Sequence, residues 1–243
     1  MKYKVLFGLT CGALISATPA IADDYRGQLK KMNFVDLLNV QPSSLDRKQL
    51  KTYLDVKKDR ENRVARSYEG TQLNSDPYTA STSLSSSVGL NASTKSCSSE
   101  ADCVIFLAHR SYNNCRKSGF GLVAEYQFCR FDKAYALGGV ALPVERLSSD
   151  VTTSRTSRLV GMPKSCTTCV STQRTIYDYK NNFSENYVIG IPLAVLRSFV
   201  NRGDLSIRLD GSGGQAVVGV EQEYLIGYLR RFDEEKVKLF SKS

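Results

Sequence analysis

The residues best suited to chemistry in this sequence are two cysteines separated by two threonines, Cys166 and Cys169. In thiol–disulfide oxidoreductases this spacing places one cysteine at a helix N-terminus, where the exposed amides and the helix dipole lower the pKa of the thiol. Here residues 162–165 contain Pro163 and residues 170–172 favour a strand, so neither the strand before such a site nor the long helix after it is evident. The pattern favours a loop-closing disulfide, and a redox-active pair is the alternative.

Four further cysteines precede this pair, namely Cys97, Cys103, Cys115 and Cys129. Six cysteines allow fifteen pairings. We predict that they pair in chain order, first with second, third with fourth, and Cys166 with Cys169, because each such pair closes a local loop. A zinc site built from the first four thiolates is the alternative, but zinc modules use closely spaced pairs and exported thiols tend to oxidise. We therefore expect three disulfides and no metal.

Signals for catalysis are otherwise sparse. His109 is the only histidine, and a Cys–His site would need a reduced cysteine held beside it. The sequence contains no Gly-x-Ser-x-Gly elbow, His-Glu-x-x-His motif, phosphate loop or spaced-Asp calcium loop. The glycine-rich residues 211–214 lie between alternating segments and predict a hairpin turn. We expect a protein that is not an enzyme and that carries no cofactor.

The first 22 residues have the organisation of a secretory signal peptide. Lys2 and Lys4 form the positive region, residues 5–17 the apolar region, and residues 20–22 the A-x-A cleavage site. We expect the mature chain to begin at Asp23 and to be periplasmic or secreted in a bacterium, where an oxidising environment favours disulfides. No later segment approaches the ~20 apolar residues of a membrane-spanning helix.

The charge of the chain suits an anionic or protein partner. Loss of Lys2 and Lys4 takes the formal charge from +9 to 9 − 2 = +7, an excess that attracts anionic surfaces. Basic residues interleave with aromatic ones over residues 112–135, as in surfaces that stack nucleic-acid bases. Tyr and Arg are equally suited to protein interfaces, and DNA is a minority target outside the cytoplasm. Nucleic acid is therefore the less favoured partner.

Residues 23–70 predict two charged helices, with Ser44 as the N-cap of the second. The second helix becomes almost wholly polar beyond its first turns, so its apolar face is too narrow for a core helix. One interpretation is a solvated helix that caps the main domain. The other is a docking arm in which Phe34, Leu37 and Leu38 bind a groove of a partner protein.

Composition divides the remainder of the chain. Twelve of the twenty-six residues 71–96 are Ser or Thr. The segment therefore has too few apolar groups to offset the entropy of ordering, and we predict a flexible linker there. Residues 97–240 are predicted to form the disulfide-stabilised domain. Its pattern predicts strands at 104–108, 121–131 and 140–144 and a Ser/Thr-rich loop at 148–157.

The last third of the chain predicts a strand, a helix, a hairpin and a second helix. These segments are a strand at 187–191, a helix that has Pro192 at its first position and is closed by Gly203, hairpin strands at 205–209 and 216–220, and a final helix at about 222–231. The predicted fold class is therefore α+β, with an N-terminal helical arm followed by a disulfide-stabilised β-rich domain.

The order of parts from Cys166 onward resembles the invasion-associated locus B family of exported bacterial proteins. In that family a short-spaced cysteine pair precedes a helix with a Leu-x-x-Leu-like stretch, a glycine, an alternating strand, a hairpin and a last apolar segment. The matching stretches here are residues 166–169, Leu193 to Leu196, Gly203, 205–209, 216–220 and 227–228. The departures are the N-terminal helical region, the Ser/Thr-rich segment, the absence of Trp, and Thr168 where the family tends to have Gly. The resemblance implies a non-enzymatic binding role.

These observations predict an exported, non-catalytic binding or structural protein of the bacterial cell envelope. It would act through contacts with an envelope complex, such as secretion or conjugation machinery, or with a host surface. The alternative is a periplasmic thiol–disulfide oxidoreductase or redox-sensing protein that uses Cys166 and Cys169.

Overall fold

The computed structural model describes residues 19–112, 115–117, 125–160 and 174–240. The helices are α1 (Pro19–Lys31), α2 (Phe34–Leu38), α3 (Arg47–Glu69), α4 (Leu193–Val200) and α5 (Gln222–Phe240). The strands are β1 (Gln72–Asp76), β2 (Ser81–Ser85), β3 (Leu90–Ser93), β4 (Val104–Tyr112), β5 (Cys115–Lys117), β6 (Glu125–Gln127), β7 (Phe131–Ala136), β8 (Val140–Leu142), β9 (Val144–Val160), β10 (Arg174–Pro192), β11 (Leu205–Gly211) and β12 (Gly214–Val220). Helices and antiparallel sheets together confirm the α+β class.

The chain divides into two compact units, Met1–Arg60 and Glu61–Ser243. Most of the predicted signal peptide lies outside the described residues, and the predicted cleavage site at residues 20–22 falls in the first turn of α1. The unit boundary lies inside α3, ten residues before the predicted end of the helical arm at Gly70. The second unit therefore contains the last part of α3 and all of the segment that was predicted as a linker.

In the first unit, side-chain caps fix where the helices begin. Asn33 accepts a hydrogen bond from the Val35 amide at 2.9 Å and starts α2. Helix α3 is capped by Asp46, whose carboxylate accepts from the amide of Gln49, while the Gln49 side chain accepts from the Asp46 amide. This reciprocal pair is a capping box. Ser44, the predicted cap, lies instead in a single 3₁₀ turn.

The three predicted anchors of a docking arm differ in exposure. Phe34 is 3% exposed and Leu37 is fully buried, whereas Leu38 is 40% exposed. The Arg60 guanidinium lies 5.3 Å from the centroid of the Phe34 ring and donates to the Met32 carbonyl at 2.6 Å. The prediction that Phe34 and Leu37 are surface anchors is therefore wrong, because intramolecular burial already removes both side chains from water.

In the second unit, six antiparallel strands form the larger sheet, in the order β1-β2-β3-β4-β10-β9. Its first three strands occupy residues 71–96, so the prediction of a flexible linker there is wrong. Leu84, Leu90 and Ala92 are fully buried from this segment, while Ser and Thr occupy the outer positions. A few inward apolar residues suffice because the strands add to an existing sheet, where Thr is a favourable residue.

A second correction concerns residues 148–157, which were predicted as a loop. They belong to β9, which pairs with β10 from Val144 to Val160. Val151 and the threonines at 152, 153 and 156 are β-branched residues that suit a strand, and the pairing partners lie at least twenty residues away in sequence. A local composition signal therefore could not distinguish this strand from a polar loop.

The smaller sheet of the second unit has the order β12-β11-β7-β8. Strand β8 lies at its edge, as predicted for residues 140–144. The strand, helix, hairpin and helix of the C-terminal region are confirmed, with α5 extending nine residues beyond Arg231. Gly203 has φ +115° and donates to the Phe199 carbonyl at 3.0 Å, which ends α4. One buried cluster joins both sheets to α4 and α5.

Two predicted disulfides are present, Cys97–Cys103 and Cys115–Cys129. The third predicted pair, Cys166 and Cys169, lies outside the described residues, in the segment that connects β9 to β10. The Sγ atom of Cys129 lies 3.5 Å from the Ser111 hydroxyl, a buried contact. This disulfide therefore closes within the core of the second unit.

A buried carboxylate fixes the backbone beside this disulfide. Glu185 on β10 is 2% exposed and accepts from the amides of Cys129 and Arg130 at 2.7 and 3.1 Å. Its other oxygen accepts from Arg146 at 3.3 Å. The next inward residue, Tyr187, accepts from the Phe131 amide at 3.0 Å, and burial raises its pKa to about 12. These bonds hold Arg130 in a left-handed conformation of φ +51°.

Substitution of Glu185 tests this anchor. We expect Glu185→Gln to lower the free energy of unfolding by about 2 kcal/mol, because two buried amides lose a charged acceptor. The measurement is urea denaturation with the disulfides intact. Glu145→Gln, at an exposed position of β9, is the control and should change stability little. Equal effects of the two substitutions would contradict an anchoring role.

Gly227 marks a close approach between α5 and the last part of α3. A Cβ atom there would collide with the Val64 carbonyl oxygen and the Ser67 side chain, and the Ser67 hydroxyl already donates to the Tyr224 carbonyl at 2.6 Å. The absence of a side chain at Gly227 therefore permits this packing.

We expect Gly227→Ala to destabilise the protein by about 1 to 3 kcal/mol through overpacking. An alanine in a helix normally stabilises by up to about 1 kcal/mol relative to glycine. Gly27→Ala in α1, where a Cβ meets nothing within 4 Å, should show that ordinary gain. Thermal denaturation of both variants makes the comparison, and a stabilising Gly227→Ala would contradict the close approach.

Candidate functional site

Residues 151–160 and 174–183 form a ribbon of only two strands. Strand β10 pairs with β4 from Ser184 to Pro192 and with β9 from Arg174 to Ile189. Between Arg174 and Phe183, β9 is therefore the only described strand beside β10. We call these two segments the ribbon. Every residue from 151 to 158 is exposed.

One side of the ribbon carries aromatic side chains. The register pairs Tyr177 with Ser157, Tyr179 with Arg155, and Phe183 with Val151. Opposite residues of antiparallel strands share a face, so these side chains lie on one side. Tyr177, Tyr179 and Val151 are 47%, 65% and 51% exposed. We call Val151, Arg155, Tyr177 and Tyr179 the aromatic face.

Arginine orders this face. The Arg155 guanidinium lies 3.7 Å from the centroid of the Tyr177 ring and 6.0 Å from that of Tyr179. Such cation–π contacts contribute about 0.5–1 kcal/mol each at exposed sites. They hold two aromatic rings and a cation in a fixed arrangement, so less side-chain freedom remains to be lost when a partner binds.

The opposite side of the ribbon is polar. Arg158 forms an ion pair with Asp178 at 3.4 Å, and both side chains are well exposed. The hydroxyls of Thr156 and Ser154 donate to the carbonyls of Asp178 and Lys180. The two sides of the ribbon therefore differ in chemistry, and the exposed tyrosine rings lie on one side.

The aromatic face continues the core side of β10. Phe183 contacts Phe128 edge to face, with ring centroids 5.0 Å apart. Further along the same side, Glu185, Tyr187 and Ile189 are buried. Side chains that alternate with a period of two keep one orientation along the strand. The residues that point inward in the sheet therefore become surface residues in the ribbon.

Sequence reasoning placed the candidate partner-binding residues elsewhere. Phe34 and Leu37 are buried in the first unit, and of the three predicted anchors only Leu38 is exposed. The ribbon was missed because residues 148–157 resemble a polar loop in composition. The available signal was the alternation of Tyr177 and Tyr179 with charged residues, which has the period of a strand exposed on both sides.

His109 is partly buried. It occupies the middle of β4, opposite Tyr187, and its Nε2 atom is buried with no hydrogen-bond partner among the described residues. Burial lowers the pKa of the imidazole below its usual value of 6.5. The nearby Cys115 and Cys129 are joined as a disulfide, so neither supplies a thiolate for Cys–His catalysis.

Within the described ranges, no three side chains of His, Cys, Asp or Glu come together as a possible metal site. None of the helices in this part of the chain has the length and apolarity needed to cross a bilayer.

Stability should depend on pH through His109. The folded chain resists protonation of the buried imidazole, whereas the unfolded chain takes up that proton near pH 6.5. The contribution of the neutral His109 imidazole to the free energy of unfolding is therefore fully present above about pH 6.5. It is lost as pH falls below that value, by up to ~1.4 kcal/mol per pH unit. Urea denaturation between pH 7 and pH 5 should show a shallower decline for His109→Leu than for the parent. Parallel curves would contradict this origin.

Comparison with known proteins finds no relative of this chain. Neither protein-family models, nor curated proteins, nor solved structures give a match to this chain. The resemblance of residues 166–228 to the invasion-associated locus B family therefore stays a prediction. A functional conclusion must come from the chain's own residues.

Proposed function

We propose that this chain is an exported, non-catalytic binding protein of the bacterial cell envelope that contacts a protein partner through the aromatic face of the ribbon. The observation that carries the proposal is the exposure of Tyr177 and Tyr179 next to the Arg155 guanidinium, in the part of β10 that β4 does not cover. The partner belongs to an envelope assembly, such as secretion or conjugation machinery, or to a host surface.

The chemistry of the face favours a protein surface. Tyr and Arg are enriched at the centres of protein interfaces and among the residues whose truncation costs most affinity. Tyrosine supplies a large contact area with few rotatable bonds, and its hydroxyl still bonds to polar groups. Val151 adds an apolar side chain to the same face, beyond the Thr153–Asn181 pair, and the Arg155 guanidinium lies against both rings.

Two features support an extracytoplasmic site of action. The Cys97–Cys103 and Cys115–Cys129 disulfides are compatible with an oxidising compartment. The N-terminal pattern of Lys2, Lys4 and the A-x-A site is that of an export signal. A protein located in the cell envelope can contact envelope assemblies or host surfaces through the ribbon.

The double variant Tyr177→Ala/Tyr179→Ala tests the proposal. We expect it to bind the partner at least about thirtyfold more weakly, since hot-spot truncations cost 2 kcal/mol or more. Its free energy of unfolding should change little, because the two rings are 47% and 65% exposed. The measurement is photo-crosslinking in cells of the source bacterium from a probe residue at position 157, which lies opposite Tyr177 and leaves Arg155 in place, compared between the parent and the double variant.

Tyr78 provides the matched control, since it is 97% exposed in the turn between β1 and β2. Tyr78→Ala should leave the crosslinked product unchanged, and a probe at position 78 should not give that product. Equal yields from the parent and the double variant, with both folded, would refute a partner-binding role of the aromatic face.

A further inference from the structure

Strand β9 is an open edge of the larger sheet. It pairs with β10 on one side, and no described strand lies on its other side. Natural edges are commonly protected by short length, proline, lysine or bulges. Strand β9 has 17 residues and contains neither proline nor lysine, and its pairing with β10 is regular from Ser148 to Val160. Its outward amide and carbonyl groups form a template for another strand.

The geometry points to a second copy of this chain as the occupant. We propose that β9 pairs antiparallel with β9 of a second copy, with the two Ser154 residues opposite each other across a two-fold axis. This axis is perpendicular to the sheet, because opposite side chains must share a face. It passes midway between a residue and the same residue of the second copy.

Charge selects the register. With Ser154 beside the axis, Asp150 lies opposite Arg158 of the second copy, and Arg155 lies opposite Thr153. With Arg155 beside the axis two arginines would meet, and with Thr152 beside it no two charges of the regular stretch Ser148–Val160 are opposed. Axes at Thr153 or Thr156 oppose no two charges. Like charges directly opposite are unfavourable and opposite charges favourable, so the Ser154 register is preferred among these five.

The polar side of the ribbon suits this register. Asp150 and Arg158 are both on the side opposite the aromatic face, and Arg158 already contacts Asp178 of its own chain. In the pair, Arg158 lies between two carboxylates, one from each copy. Thr152 and Thr156 are also opposite each other, a pairing that suits adjacent strands.

Pairing would join the two ribbons into a sheet of four strands. Because the axis is perpendicular to that sheet, the aromatic faces of both copies lie on the same side. Tyr177 and Tyr179 of each copy then form one bivalent surface. This consequence deepens the proposed function, whereas the pairing itself does not rest on it.

Charge reversal tests the pairing. Sedimentation velocity of the mature chain should show a monomer–dimer equilibrium. Asp150→Arg and Arg158→Asp should each weaken dimerisation at least about tenfold, and the double variant should regain it to within about threefold, since 1.4 kcal/mol corresponds to tenfold. Glu145→Gln is the control and should dimerise like the parent. A parent that stays monomeric into the high micromolar range, or folded variants without recovery in the double, would overturn the proposal.

Cysteine trapping tests the register separately. In a background with Cys166→Ser and Cys169→Ser, mild oxidation should join two copies through Ser154→Cys and not through Thr156→Cys, which lies two residues from the axis. Trapping at position 156 alone would overturn this register. A monomeric Asp150→Arg variant that still captures the envelope partner would separate dimerisation from partner binding, so each proposal fails or stands by its own measurement.

Discussion

Continuous antiparallel pairing along β10 is the constraint on which the second unit depends. The strand pairs with β4 over its last nine residues and with β9 from Arg174 to Ile189. Its inward side carries Glu185, which fixes the backbone next to the Cys115–Cys129 disulfide, and Tyr187, which binds the Phe131 amide. The same alternation carries onward to Tyr177 and Tyr179. The core and the candidate site are therefore two parts of one strand face.

Signals that act over short distances predicted the structure well. Pro192 and Gly203 bound α4 because each imposes a backbone conformation locally, and the turn after Asp210 joins two strands whose own alternation indicates burial. The two observed disulfides also close short loops. In each case the residues that determine the structure lie within about fifteen positions of one another, so the sequence pattern contains the necessary information.

The errors arose where distant segments decide the structure. Leu84 is buried because β2 joins a sheet, and residues 148–157 form a strand because β10 lies beside them. Ser and Thr occur in loops and in solvent-facing strands, so composition alone cannot separate the two. Phe34 likewise looks like an anchor until Arg60, on another helix, is placed against its ring. Pairing across long separations was the missing information for the fold and for the site alike.

A two-stranded ribbon is marginally stable by itself in water. Contacts such as Arg155 with Tyr177 contribute only fractions of the free energy needed to order some twenty residues. The ribbon is instead extended from a sheet that is already fixed at Glu185 and Phe183, so the register is set before the exposed part begins. This arrangement presents large side chains on a preordered backbone, where a partner gains contact area without first ordering a loop. The exposure of aromatic groups here, costly in a structure without a partner, is consistent with a surface that is covered when the protein acts.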